Sequence, residues 1–482
     1  MLIRSTQTPA ASSVELEPPT IVETTLREGE QTPGVNFELE DRLKIASSLD
    51  EFFNGKYYII ELGAPYANPP YSVDDIKLVR REVSFSGETM SHCRAKVEDI
   101  DLALKCGTEW VAIYAGVSEI HLKHKLKKSR EQMKDLVAKA ISYAVDHGLK
   151  VRFTGEDAVN ADIAFLKEMG SFVKDLGATR YSLPDTTGSA RPDRIANMVS
   201  EVSREVKILI DVHCHNDLGL ALANSIAGWQ AGARGVHATI NGIGERAGIT
   251  SLEQFALALR VLYNIDLEFK FEIIPKLVRI VSRCSGVSTK DTDPVVGLNA
   301  FTHKAGTHVA GVISDPRTHE AYPPELIGRR RSFVVGELVG RHAVEFKLAN
   351  EYGVGNLDQE LIRRITDEVK KKSHEIGRDL TDGEFRLIAS KIMGRPIYGQ
   401  NGCDAVVLLK ERPGVRREDL WKYLRNIDGV KDIYETFGSY DYIIEIRAED
   451  ERQLDVITDK IRRSNLVSST ETLVMISKWR WR

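Results

Sequence analysis

Two histidines stand two residues apart in HCHND (213–217), at the end of a β-branched run. Alternation along an extended chain turns both imidazoles, His213 and His215, to one face. Two imidazoles on one face suit one divalent ion; the bland alternative is a pair of ordinary polar histidines at a strand end. Such an ion needs a further donor, and TTLREGEQTPG (24–34) places Arg27, Glu28, Glu30 and Gln31 after another apolar run. A carboxylate with two imidazoles accepts zinc, manganese or magnesium and leaves positions for substrate oxygens. The competing reading of that stretch is a surface salt-bridge loop.

In VRFTGEDA (151–158), Arg152, Thr154 and Glu156 alternate and so share a face. An inward arginine needs an anion, because a buried unpaired charge is costly. Either a substrate carboxylate held by the guanidinium fork or an internal ion pair with Glu156 would supply it. PDTTG (184–188) adds the Thr186 hydroxyl. The glycines of NGIGERAGIT (241–250) allow close backbone approach to a ligand, with Glu245 and Arg246 beside them. FTHKAGTH (301–308) carries His303, Lys304 and His308, and imidazoles can move protons near neutrality. His303 equally suits a helix start. The basic run HLKHKLKKSR (121–130) reads as a solvated face.

These clusters must be held by something regular. From Pro19 to about Leu262, short β-branched runs at 20–25, 57–62, 83–92, 110–115, 150–154, 180–183, 207–215 and 235–241 alternate with amphipathic helical stretches. Repeated strand–helix units predict an α/β fold, a (β/α)8 TIM barrel, with a doubly wound sheet as the alternative. A barrel places its chemistry where strands end. Further on, 281–400 reads as helical subdomains with a Pro/Gly linker at 393–402. From 403 to 482 the order β-α-β-β-α-β predicts a ferredoxin-like domain. Residues 1–18 read as a polar N-terminal arm ahead of a barrel at 19–280.

The 482 residues carry 66 basic and 70 acidic side chains, a net charge of −4, which argues against nucleic-acid binding driven by phosphate neutralisation. No apolar run is long enough to span a membrane. Five scattered cysteines without a CxxC pair fit a reducing cytoplasm.

In their order, TLREGEQTPG, HCHNDLGLALANS, GIGERAG and FTHKAGTHVAG resemble the Claisen-condensing acyltransferases of the DRE-TIM metallolyase superfamily. These are the homocitrate, isopropylmalate and citramalate synthases. The Arg27-Glu28 pair, VRF at strand five and GERAGITSLE are more similar to the homocitrate branch. That branch condenses acetyl-CoA with 2-oxoglutarate in lysine biosynthesis. The resemblance implies a divalent metal on Glu28, His213 and His215, and Arg27 as stabiliser of the developing alkoxide. It implies an oxoacid pocket of Gln31, His92, Arg152, Thr154 and Thr186, with Arg152 facing the distal carboxylate. It also implies proton removal by His308 with Glu156. At the place of the family's catalytic tyrosine stands His319, with Tyr322 three residues on. The segment 404–478 resembles the amino-acid-binding domain of feast/famine regulators, which implies lysine as an effector and at least a homodimer. The competing functions are isopropylmalate or citramalate synthase, a metal-dependent lyase of the same superfamily, and a non-catalytic amino-acid sensor.

Overall fold

The computed structural model describes residues 16–68, 71–304, 306–395, 397, 403–448 and 451–474. Most of the expected N-terminal arm and most of the 393–402 linker therefore lie outside the described residues. The described end of the arm is tied down, since the Trp229 indole N–H donates to the Glu17 carbonyl at 3.0 Å.

The chain divides into two units, one reaching Ala300 and including Glu325–Arg329, the other Phe301–Pro324 with Arg330 onward. In the first, eight parallel strands close a barrel. They are β1 (Thr20–Glu23), β2 (Tyr58–Gly63), β3 (Glu88–Arg94), β4 (Trp110–Gly116), β5 (Lys150–Glu156), β6 (Arg180–Asp185), β7 (Leu209–Cys214) and β8 (Gly235–Ala238). Closure is direct: β1 pairs with β2 on one side and with β8 on the other, so no edge strand remains. This decides against the doubly wound sheet. Residues that alternate outward, such as Ile21, Ile60, Val111, Val151 and Val212, are wholly buried. Local signals set the helix starts: Ser129 forms a capping box with Gln132, and Ser251 accepts from the Gln254 N–H.

The strand boundaries shift by a few residues from the sequence reading, most at the start of the third. The third strand begins at Glu88 and not at Val83. Asp50 holds the intervening turn by accepting from the Ser86 N–H at 2.8 Å. A side chain at Gly87 would meet the Tyr58 ring at 2.5 Å. Turn chemistry outweighs the apolar pattern of VSF there.

The second unit contains two apolar cores. One is built from Val344, Leu348, Ile362, Ile365, Val369 and Phe385, on helices Arg341–Tyr352, Gln359–Ile376 and Asp382–Met393. A two-stranded ladder of β9 (Thr302–His303) and β10 (Ser332–Phe333) accompanies it. The other core underlies β11 (Cys403–Glu411), β12 (Val430–Glu435), β13 (Tyr442–Ala448) and β14 (Val467–Val474), in the order β12-β13-β11-β14. With helices Arg417–Arg425 and Glu451–Arg462 this is the expected βαββαβ domain. Its last strand begins at Val467.

Candidate active site

The inward positions of the barrel are unusually polar. Ile59, Met90, Trp110 and Ala112 form an apolar layer toward the strand starts. Two residues further along β2 and β3, Glu61 and His92 replace it. Glu61 is wholly buried and gathers partners from four places. It accepts from Thr24 Oγ1 at 2.5 Å, from Arg27 Nε at 2.7 Å and from Arg152 at 3.1 Å, and lies 2.9 Å from His92 Nδ1. Burial alone would raise its pKa, but Arg27, His92 and Arg152 outweigh that and hold the carboxyl well below the usual range. Sequence reading missed Glu61. Its only signal was an acidic residue at an inward position of an apolar strand, ELG after YYII.

Arg152 does need an anion, but that anion is Glu61 and not Glu156. Its second terminal nitrogen meets His237 Nε2 at 3.2 Å, and the side chain exposes no surface. The expected fork open to a distal carboxylate is thus already engaged at both ends. Glu156 instead pairs with Lys125 at 2.6 Å and lies 3.4 Å from His121 Nδ1. The basic run is therefore not wholly a solvated face: its π-helix, His121–Leu126, folds over the end of β5.

At the carboxyl ends of β1 and β7, Glu28, His213 and His215 converge, with candidate ligand atoms all within 4.8 Å of one another. The Nε2 atoms of the two imidazoles are 3.3 Å apart. Burial, with the neighbouring imidazoles, holds the His213 pKa well below its ordinary value, and burial lowers His215. Both rings are therefore neutral and keep a lone pair. His215 Nδ1 is buried without a partner among the described residues. A carboxylate and two neutral imidazoles meeting at one point, with a buried nitrogen unspent, fit a divalent cation. Arg27 lies against this cluster, 2.5 Å from Glu28 and bonded to Glu61.

Loops after β6 and β8 brace the site. The Glu245 N–H donates to Glu28 Oε1 at 3.1 Å, and Arg246 joins Asp217 to the Thr186 carbonyl. Gly248 has φ +82, and a Cβ there would lie 1.8 Å from the Gly242 carbonyl, so only glycine fits the turn. The Thr186 hydroxyl accepts from the Asp157 N–H, while Thr154 Oγ1 has no partner among the described residues. Gln31 is exposed at the rim. His92 stacks on Tyr114 with centroids 4.9 Å apart. His308 belongs to the second unit, where its ring stacks on His319 at 4.1 Å. His303 in that unit is paired with Glu320, and Tyr322 packs edge-on against Phe301.

Residues 18–281 match the protein-family model described as HMGL-like, 295–376 the homocitrate synthase post-HMGL domain, and 404–480 the Lrp/AsnC ligand-binding domain. The chain is 37% identical to a homocitrate synthase of Saccharolobus islandicus over 95% of its own length and 99% of that protein. The chain belongs to the homocitrate synthase family. The homologue from Sulfurisphaera tokodaii is likewise 37% identical over 95% of this chain and 99% of its own. A solved HMG-CoA lyase from Brucella melitensis aligns with a TM-score of 0.49 at 18% identity, over 56% of this chain and 99% of that one. As a family member the chain is an enzyme, which removes the non-catalytic sensor from the competing readings. Among the described residues no helix is long and apolar enough to cross a membrane.

Proposed function

We propose that the chain condenses acetyl-CoA with 2-oxoglutarate, giving homocitrate and CoA. The observation that carries this reading is the convergence of Glu28, His213 and His215 beside Arg27, in a chain aligned with homocitrate synthases along nearly its whole length. A divalent cation held there would polarise the keto carbonyl of the oxoacid. The Arg27 guanidinium, fixed by Glu28 and Glu61, is poised to stabilise the alkoxide that develops on that oxygen. His92, Thr154, Thr186 and Gln31 line the oxoacid pocket in this reading. In this reading His308 removes the proton from the acetyl methyl group, and thioester hydrolysis then releases CoA; Glu156, held by Lys125, is left out of that step.

Charge favours a dicarboxylic substrate. Arg27, Arg152 and Arg180 are matched by Glu28, Glu61 and Asp211, so the barrel interior is balanced by its own side chains. A divalent cation adds two positive charges, and a dianionic oxoacid supplies two negative ones. CoA release with 2-oxoglutarate, 2-oxoisovalerate and pyruvate tests this reading. A preference for 2-oxoglutarate of about tenfold or more in kcat/KM is expected, the scale of one interaction with a charged group. Equal or faster turnover of 2-oxoisovalerate would point to an isopropylmalate synthase instead.

The βαββαβ domain is proposed to bind lysine as a feedback inhibitor, with the chain acting as at least a homodimer. Support comes from the Lrp/AsnC match and from a core separate from that of the preceding helices. A chain ending at residue 402 is expected to keep its turnover and lose inhibition by lysine. Retained inhibition in that chain counts against the assignment.

A further inference from the structure

His237, on β8, is wholly buried and was not singled out by the sequence. Its Nδ1 lies 3.0 Å from Nδ1 of His213. Its Nε2 meets Arg152 at 3.2 Å, with Asp211 Oδ2 at 3.7 Å. His213 therefore has one nitrogen committed to His237 and the other turned to His215. We infer that His237 is the positioning residue of the metal centre: it fixes the ring of His213 and supplies the hydrogen bond that His213 needs to act as a ligand.

Ligating imidazoles are commonly held through their second nitrogen by a carboxylate, a carbonyl or water, which sets ring orientation and tautomer. Here another imidazole takes that place, and the groups behind it explain how. A guanidinium only donates, so with Arg152 on Nε2 the His237 proton sits on Nδ1 and is donated to His213. In that arrangement Nε2 of His213 keeps its own proton. The opposite arrangement moves both protons across their rings. His213 then donates from Nδ1, His237 accepts it, and the His237 Nε2–H takes Asp211 Oδ2, now 3.7 Å away, as acceptor while the Arg152 N–H withdraws from that nitrogen. That frees the lone pair on Nε2 of His213 with no change in the number of protons on the two rings. Arg152 and Asp211 at one nitrogen thus let His237 serve His213 in either state. Asp211 is itself anchored by Arg180 at 2.7 Å, and Arg152 by Glu61.

This inference rests on the metal reading of Glu28, His213 and His215, and two variants separate the two. In His237→Asn the amide falls near the place of Nδ1 and can donate or accept toward His213. In His237→Gln it reaches toward the place of Nε2, serving Arg152 and Asp211 but leaving His213 without its partner. The full chain, stripped with chelator, is titrated with Mn2+ alone and binding is followed calorimetrically. His237→Gln is expected to weaken Mn2+ binding by about 10–100-fold, and His237→Asn to keep it within about threefold of the native chain. A His237→Gln chain that binds Mn2+ as tightly as the native one overturns the inference. Failure of the native chain to bind any divalent ion overturns the metal reading beneath it. Should either variant not fold, the native chain decides. With 15N-labelled histidine, the His237 ring signals are expected to move on Zn2+ binding, and signals that stay fixed refute the role.

Discussion

Replacing Glu61 by leucine is expected to destabilise the barrel by about 3–5 kcal/mol, the scale for removing one partner of a buried ion pair. The effect follows from what the carboxylate holds. Arg27 and Arg152 both use it as counter-ion; Arg152 is wholly buried, while Arg27 at the barrel mouth keeps Glu28. Glu61→Gln keeps the shape and some hydrogen bonds but not the charge, and should fall between native and leucine variants. Denaturant midpoints followed by circular dichroism check the order. A leucine variant within about 1 kcal/mol of native would mean that Arg152 has another counter-ion. The pH dependence carries the same information. The folded pKa of Glu61 is depressed, so its contribution is complete above the ordinary value of 4.5 and is lost progressively as pH falls from there through the lower, folded value. Asp211 behaves alike: burial pushes it up, but Arg180 prevails and holds it below its ordinary 3.8. The stabilisation of the native barrel should therefore decline progressively as pH falls below these ordinary values, while the Glu61→Leu chain lacks the Glu61 part of it at every pH. Turnover should fall with either substitution, because Arg27 loses the anchor that fixes its direction.

How much of this was legible beforehand depended on whether a residue's role is local. Strand ends and histidine spacing are local. His213, His215 and Glu28 announce themselves by alternation and by position after apolar runs, and these three do converge. The eight strands were visible for the same reason, apart from the start of β3, where a hydrogen bond from Ser86 to Asp50, 36 residues earlier, sets the boundary. Glu61 and His237 were not legible. Each is a single polar residue within a strand of ordinary β-forming composition, and its meaning depends on side chains 24 to 91 positions away. Arg152 was legible as a buried cation, but its partner was not, since pairing across a barrel lumen follows closure and register rather than spacing. The pairing of Lys125 with Glu156 was hidden likewise, because a lysine-rich run looks solvated until the loop that carries it is folded over a strand end.

If Glu28, His213 and His215 hold a divalent ion as proposed, stripping it or replacing one of the three is expected to have the largest effect on rate while leaving the fold in place. His213→Ala and Glu28→Ala should each lower kcat by at least about 10^3-fold, the several kcal/mol that a Lewis acid contributes to a developing oxyanion. The fold should survive because the barrel does not depend on these residues for closure: its ladders are backbone pairs, and Arg27, which loses one counter-ion in Glu28→Ala, keeps Glu61. The two variants should still differ. Glu28→Ala leaves Arg27 its bond to Glu61 but removes the acceptor for the Glu245 N–H, loosening the glycine turn before Gly248 as well as the ion. His213→Ala leaves that turn intact and removes one donor nitrogen together with the partner of His237. Chelation of the native chain, followed by titration with Mg2+, Mn2+ or Zn2+, should restore turnover in the native chain and fail to do so in both variants at matched concentrations. Thermal melts of the three chains, read alongside CoA release, separate loss of chemistry from loss of structure. Native-like turnover in either alanine variant, or in the chelated native chain, would remove Glu28, His213 and His215 from the mechanism.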